Sequence, residues 1–430
     1  MKNNAHGKGR QEQVTRKTSQ AQSRAGGGDR FFYGYILVAA SFVLQAVGWG
    51  IYNSFGVFFN PLIDEYGWSR AGISGAVSVS FCLCGLFSIL MGRLNDRVGP
   101  RLIMTVSGVL LGVGYLLMAR MAALWQLYLL YGLLVGIGIS GTDVVLLSTI
   151  ARWFVRLRGR MSGLLKVGTG VGMLVMPLFI DLLITAFGWR TALFVVGVVV
   201  LVLFIGVSQV LERDPGSRGL RPDGDGRIGA GSAPAVETGF TLAQAMRSPQ
   251  LWLICTAYFL LLFCALTVLL HIVPHAMDLG ISHGDATRVL STIGGLSIAG
   301  RFVMGFYCDR IGSKWALAIC YGFLCAGLGW LLVADRLWML FVFAVVYGFA
   351  HGGFFAVMSP LIADFFGTVA HGAIFGVMIF VSTIGGAIGP LLAGYAFDLT
   401  GSYRFVFLAL PVLGAVGLGA TLLLHPPLQD

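Results

Sequence analysis

Twelve long apolar segments divide this chain, more than one soluble core can bury. The first six run over residues 32–58, 71–91, 102–119, 124–150, 161–187 and 191–211. A second six run over residues 250–278, 286–306, 315–334, 337–362, 373–397 and 403–424. A helix needs about 20 apolar residues to cross the hydrocarbon core of a bilayer, and each segment meets or approaches that length. Only 11% of the 430 residues are charged, and mean hydropathy is +0.84. An ordinary soluble domain carries about 25% charged residues. The expected fold class is an all-α membrane protein with twelve transmembrane helices.

The two sets of six are copies of one plan. Gly92-Arg93-Leu94-Asn95-Asp96-Arg97-Val98-Gly99-Pro100-Arg101 returns 213 residues later as Gly305-Phe306-Tyr307-Cys308-Asp309-Arg310-Ile311-Gly312-Ser313-Lys314. Gly159 and Gly372, Gly163 and Gly376, Gly172 and Gly385, and Pro177 and Pro390 keep the same offset. Two similar halves in a membrane are the usual construction of a carrier that rocks about a central site. The chain divides into a cytoplasmic tail expected to be disordered (1–30), a six-helix bundle (31–211), a cytoplasmic linker (212–249), a second six-helix bundle (250–424) and a short cytoplasmic tail (425–430). The tail at 1–30 is polar and basic, with no apolar stretch of the kind a cleavable signal needs. Near the end of the linker, Thr241–Met246 has the pattern of a short amphipathic helix.

Charge placement sets an orientation. The formal net charge is +10, which by itself would admit a nucleic-acid partner. With the amino terminus inside, Arg70, Arg120, Arg190, Arg288, Arg336 and Arg404 face outward, Lys166 and Arg301 lie within spans, and every other Lys and Arg faces the cytoplasm. That is the positive-inside asymmetry, and it needs no nucleic acid. The seven cysteines form no Cys-x-x-Cys pair, so zinc and redox motifs are absent. No catalytic constellation, cofactor site or metal-ligand spacing stands out, so an enzyme is not expected. The chain reads as a functional monomer in a lipid bilayer.

Glycines cluster inside the segments. Gly159-x-x-x-Gly163, Gly168-x-x-x-Gly172 and Gly385-x-x-x-Gly389 put small residues on one helical face, where helix contact in lipid depends on close packing. The prolines at 177 and 390 each remove a backbone hydrogen bond and favour a kink. In the repeated motif, glycines permit a tight turn between helices. Asp96 and Asp309 can accept hydrogen bonds from a helix amino terminus, where the dipole favours negative charge.

The interior charges carry the chemistry. Arg301 lies eight residues before Asp309, about 12 Å toward the membrane centre at 1.5 Å rise per residue. An intramembrane arginine costs several kcal/mol unless it faces a cavity or a partner. Its planar guanidinium can hold a carboxylate by two parallel hydrogen bonds; snorkelling or a structural pairing is the plainer alternative. Asp143 and Lys166 sit at similar depths on neighbouring segments, about 9–14 Å in, and are candidates for a buried ion pair or a proton-coupling site. His271 titrates in the range a proton-coupled carrier uses and is a candidate for the pathway. His275 reads as interfacial, and His351 lies in a glycine-rich segment. Tyr52 and Asn53 are candidate substrate donors in the first segment.

The repeated motif resembles the loop between helices 2 and 3 of the major facilitator superfamily, repeated there between helices 8 and 9. That resemblance implies two pseudo-symmetric six-helix bundles. It also implies that Gly92, Asp96, Arg97, Gly99, Gly305, Asp309, Arg310 and Gly312 latch one half against the other in the outward-open state. Pro100 and Ser313 depart from its basic consensus. Trp153-Phe154-Val155-Arg156-Leu157-Arg158-Gly159-Arg160-Met161-Ser162-Gly163 is similar to the helix 4–5 junction of monocarboxylate transporters. Phe32-Tyr33-Gly34-Tyr35, with Gly56-Val57-Phe58-Phe59, resembles their first helix, and Ala299-Gly300-Arg301-Phe302-Val303-Met304-Gly305 their eighth. The bacterial oxalate/formate exchangers share much of this pattern.

The resemblance implies that Arg301 binds a substrate carboxylate. Two positions depart from the family. An aspartate one turn before the arginine is Ser297 here, and a lysine of helix 1 is Asn53. Both are tied in the family to proton coupling. Either Asp143, Lys166 or His271 substitutes, or the protein exchanges anions. The expected function is proton-coupled symport of a small organic anion, a monocarboxylate, across a bacterial inner membrane. An anion exchanger is the first alternative, ahead of drug efflux and a non-transporting receptor.

Overall fold

The computed structural model describes residues 32–224 and 239–425. The tail at 1–30, and all but the first residue of the tail at 425–430, lie outside the described residues. Among the described residues, twelve helices are long and apolar enough to span a bilayer. They are α1 (Tyr33–Tyr66), α2 (Arg70–Val98), α3 (Pro100–Met118), α4 (Leu124–Trp153), α5 (Arg158–Phe187), α6 (Trp189–Ser208), α7 (Pro249–Asp278), α8 (His283–Ile311), α9 (Ser313–Leu331), α10 (Leu337–Phe366), α11 (His371–Thr400) and α12 (Arg404–Leu422). Two spans are locally irregular: α1 tightens into a 3₁₀ turn at Ser54–Phe58, and α4 widens into a π turn at Tyr128–Val135.

The helices outrun the apolar segments where they meet the latch motifs. Residues 92–98 and 305–311 continue α2 and α8 as helix rather than forming a loop. The turn is confined to Gly99 (φ +89°) and Gly312 (φ +85°), which adopt a backbone geometry that a side chain strains. Pro100 then starts α3 at a position where its missing N–H costs nothing. Gly99 and Gly312 thus make the tight turn expected of the motif, whereas Gly92 and Gly305 lie in helix and serve helix crossing.

Those crossings join the two halves at the end that carries the linker. A Cβ on Gly159 would stand 2.6 Å from the Gly305 carbonyl oxygen, and one on Gly163 2.6 Å from that of Arg301. The symmetric contacts are Gly92 against Gly372 and Gly376 against Ser88, each displaced by the 213-residue offset. The other glycine pairs pack within a half: Gly172 on Ala46 of α1, and Gly385 on Phe259 of α7. Small residues let these backbones meet where water cannot drive association.

Toward the opposite end the halves part. Gly305, Arg301, Ile298 and Gly294 follow one another on one face of α8 by helical spacing. A Cβ at Gly305 meets Gly163 Cα at 2.9 Å, whereas one at Gly294 meets nothing within 4 Å. The separation opens near the level of Ile298, where α8 still touches Gly170 of α5.

The linker grips both halves. The carboxylate of Asp223, at φ +58°, accepts from the backbone N–H groups of Val155, Arg156 and Leu157 at 2.9–3.2 Å. Trp153 Nε1 donates to the Glu212 carbonyl at 3.0 Å. At its other end, Phe240 N–H donates to the Phe366 carbonyl of α10 at 2.8 Å. A short helix follows at Leu242–Arg247, closed by a Thr241–Gln244 capping box.

Candidate functional site

Four helices bring polar groups to the level where the halves part. On α5, Lys166 is 3% exposed, and its Nζ lies 2.5 Å from Asp143 Oδ1 of α4. Gln45 of α1, fully buried, donates its Nε2 to the same oxygen. Across the interface on α8, Arg301 is 4% exposed, and its Nε and Nη1 are buried without hydrogen-bond partners. Asp143 lies within electrostatic range of it, but the Asp143 hydrogen bonds go to Lys166 and Gln45.

Arg301 is positioned by what α5 lacks. Gly170 lies one turn beyond Lys166, and a Cβ there would stand 2.6 Å from Arg301 Nη1. The guanidinium thus occupies the space of a missing side chain, beside Lys166. Phe355 of α10 completes the arrangement. Its ring centroid is 5.8 Å from the Arg301 guanidinium carbon and 5.6 Å from Lys166 Nζ, so both cations lie within cation–π range of one ring. His351, one turn earlier on α10, sits 5.2 Å from the Phe355 ring with a buried, unpartnered Nδ1.

Two cations and one carboxylate leave this core with a net positive charge. Polar hydrogens that are buried and unsatisfied cost about 1–3 kcal/mol each. A carboxylate at Arg301 would accept from one of the orphan nitrogens and neutralise the excess charge. An apolar tail could lie on Phe355.

Other sequence candidates sit elsewhere. Tyr52 is buried inside the first half, stacked on Tyr131 (centroids 5.7 Å) with its hydroxyl toward Ser80 of α2. Asn53 is exposed and donates Nδ2 to its own helix at Trp49 O, 2.8 Å away. His271, the candidate for the pathway, is hydrogen-bonded within the second half. Its Nδ1 meets Tyr403 Oη and its Nε2 the Pro390 carbonyl, both at 3.1 Å and both within the second half. With both ring nitrogens engaged it holds α7 to α11 and the start of α12. His275 packs edge-on against Phe407 at 4.7 Å beside it.

The latch residues divide by role. Asp96 accepts from the backbone N–H groups of Gly372 (3.1 Å) and Ala373 (2.9 Å), capping α11 of the opposite half, and from Arg152 Nη2 at 2.6 Å. Asp309 accepts from Gly159 (2.5 Å) and Arg160 (3.0 Å), capping α5. The two caps map onto each other by the 213-residue offset. Arg97 is exposed, and Arg310 lies over the Phe306 ring at 4.5 Å.

Gln45 and Phe355 escaped the sequence reading. Gln45 carried a signal, being a lone amide in the apolar run Val43-Leu44-Gln45-Ala46-Val47. Phe355 carried none, since it is one of 31 phenylalanines and only its neighbours single it out. A groove of about 240 Å³ between α7, α11 and α12 is lined by apolar residues such as Phe263, Leu392 and Phe405. It offers an anion no polar partner.

The chain is similar to known proteins in sequence and in fold. The family model of the Major Facilitator Superfamily matches residues 38–307 and 274–430. The chain is 27% identical over 394 residues to monocarboxylate transporter 13 of Rattus norvegicus, covering 91% of this chain and 89% of that one. It is 26% identical over 395 residues to the oxalate:formate antiporter of Oxalobacter formigenes, covering 89% and 91%. Among solved structures, the transporter FucP in the outward conformation superposes with a TM-score of 0.70 at 14% identity, covering 90% of this chain and 98% of that one. The human organic anion transporter MFSD10 does so with 0.70 at 15%, covering 90% and 99%.

Proposed function

Because the chain belongs to the Major Facilitator Superfamily, and is thus a multi-pass membrane transporter rather than an enzyme, we propose that it carries small organic anions by alternating access. The substrate is a monocarboxylate, taken up with a proton. The observation that carries this is Arg301, a buried guanidinium with two unsatisfied N–H groups at the depth where the halves separate. Both the monocarboxylate transporters and the oxalate:formate antiporter that the chain resembles bear names of carboxylate carriers.

The membrane is a bacterial inner membrane, with the linker and both termini on the cytoplasmic side. The excess of Lys and Arg at that end supports this orientation. The cleft is then outward-open, with Asp96 and Asp309 holding the cytoplasmic end shut. Domain limits at 31–211 and 250–424 follow the repeat.

Uptake of labelled lactate, pyruvate, formate and oxalate into proteoliposomes tests the assignment. At least one monocarboxylate is expected to enter faster under an inward proton gradient. Uptake that needs internal anion and ignores the gradient favours exchange, a reading supported by the likeness to the antiporter. No uptake of any of the four would defeat an anion carrier.

Gly170 supplies a second test. Gly170→Ala places a methyl group against Arg301 Nη1 and should displace the fork. Misplacing a buried charge contact typically costs 2–5 kcal/mol, so transport is expected to fall by roughly 30-fold or more. The same substitution at Gly206, where a Cβ meets nothing within 4 Å, should leave transport intact. Equal transport by both variants would detach Gly170, and with it the observed pose of Arg301, from substrate binding.

A further inference from the structure

We infer that Asp143 carries the co-transported proton, and that proton and substrate are coupled because Asp143 and the substrate carboxylate compete for Lys166. The inference rests on the carboxylate reading above and adds the site and logic of coupling.

Lys166 and Arg301 both contact the Phe355 ring, yet only Lys166 has a carboxylate partner at hydrogen-bond distance. The two cations also lie within electrostatic range of each other, so a carboxylate arriving at Arg301 enters the field of Lys166. While Asp143 is ionised, Lys166 is neutralised and withheld. A proton on Asp143 changes this. A protonated carboxyl no longer holds the ammonium as an ion pair, and Gln45, which donates to the same oxygen, keeps the acid in place. Lys166 then turns its hydrogen bond to the substrate, which is gripped by two cations.

The groups facing Asp143 are compatible with this role. Lys166 comes from α5, Gln45 from α1 and Arg301 from α8, with the Cys84 thiol of α2 within electrostatic range. His351 of α10 lies beyond Arg301. None is a second carboxylate that could share the proton. The Asp143 side chain keeps 14% exposure, so it is not sealed from solvent.

Charge conservation completes the cycle. Empty, the core holds Lys166⁺, Asp143⁻ and Arg301⁺. Loaded with a monoanion and one proton on Asp143, it has the same net charge. The proton comes from the outer bulk, forms an O–H bond on Asp143, and leaves to the inner bulk when the substrate leaves. Lys166 stays an ammonium throughout. Loaded and empty carriers thus cross with equal charge, and net transport is electroneutral. A monoanion without its proton would leave a neutral core, unlike the empty one.

The test compares variants in proteoliposomes with labelled lactate, or with pyruvate, formate or oxalate if that is what the wild type carries. A gradient of two pH units concentrates a monoanion coupled to one proton by about 100-fold, tenfold per unit. Asp143→Asn imitates the protonated acid. It is expected to lose this accumulation, while exchange of internal for external anion continues and loses its dependence on external pH. Asp143→Glu should retain accumulation with a shifted pH profile.

A purely structural pair makes a different forecast. Removing both partners in Asp143→Asn with Lys166→Met relieves the unpaired ammonium, so a structural role predicts recovery of accumulation. The coupling role predicts a folded protein that still does not accumulate. Accumulation by Asp143→Asn, or its recovery in the double variant, overturns the inference. A wild type that exchanges anions with no response to pH also overturns it, but leaves the carboxylate reading standing. A wild type that carries none of the four overturns both.

Discussion

Arg301→Met is expected to abolish carboxylate transport and, at the same time, to make the protein more stable. The two effects have opposite signs for one reason. Arg301 is 4% exposed, and two of its N–H donors are buried without partners. In the empty carrier this cation is a cost, and each unsatisfied donor contributes about 1–3 kcal/mol. Methionine fills similar volume without charge and removes those unsatisfied donors. Substrate binding loses the charged fork, about 2–5 kcal/mol or roughly 30-fold to several-thousand-fold. Thermal unfolding in detergent and uptake in proteoliposomes measure the two effects on one preparation. Transport that survives in Arg301→Met removes the anion site from this arginine. Lost transport with a large fall in stability would instead mark it as a structural residue. Arg301→Lys keeps the charge but not the planar fork and should also transport poorly.

The second large effect concerns the latch. Replacing Asp96 and Asp309 together by alanine should open the linker end. Each carboxylate caps a helix of the opposite half through two backbone N–H groups, at 2.9–3.1 Å for Asp96 and 2.5–3.0 Å for Asp309. Loss of one such cap costs about 0.5–2 kcal/mol, and both act on the same closed state. The combined shift is about 1–4 kcal/mol, or roughly 5-fold to several-hundred-fold in the ratio of closed to open carriers. A native reporter exists. Cys308 is 4% exposed and lies at the α5–α8 crossing, where a Cβ on Gly159 would stand 2.8 Å from its own Cβ. Its alkylation by a maleimide should accelerate in the double variant, with the exposed Cys82 as the internal control. Unchanged protection of Cys308 would mean that the glycine crossings alone keep this end shut.

Much of this molecule is legible in its amino-acid sequence. The twelve spans, the two halves and the symmetric placement of Asp96 and Asp309 followed from apolar length and from the repeat. The short helix expected over Thr241–Met246 forms from Leu242 to Arg247, because its capping box is a local signal. Other features were not local. The latch glycines read as turn residues, yet Gly92 and Gly305 lie in helix. Their partners stand more than 100 residues away, and a one-dimensional pattern cannot distinguish a glycine that bends a chain from one that admits another chain.

The same limit governs the charged core. That Asp143, Lys166 and Arg301 are costly residues in apolar segments is a property of composition and depth, which sequence determines by itself. That Lys166 has a partner and Arg301 does not is a property of distances between four helices. His271 illustrates the difference: it had the right chemistry and depth, and the fold gave both its nitrogens to Tyr403 and Pro390. Sequence determined that this chain is a two-fold membrane carrier with charges it must use or satisfy, because the bilayer penalises each residue by its own chemistry. Only tertiary structure decided which charge is left unsatisfied, because hydrogen bonds and ion pairs act over a few ångströms and depend on which helices meet.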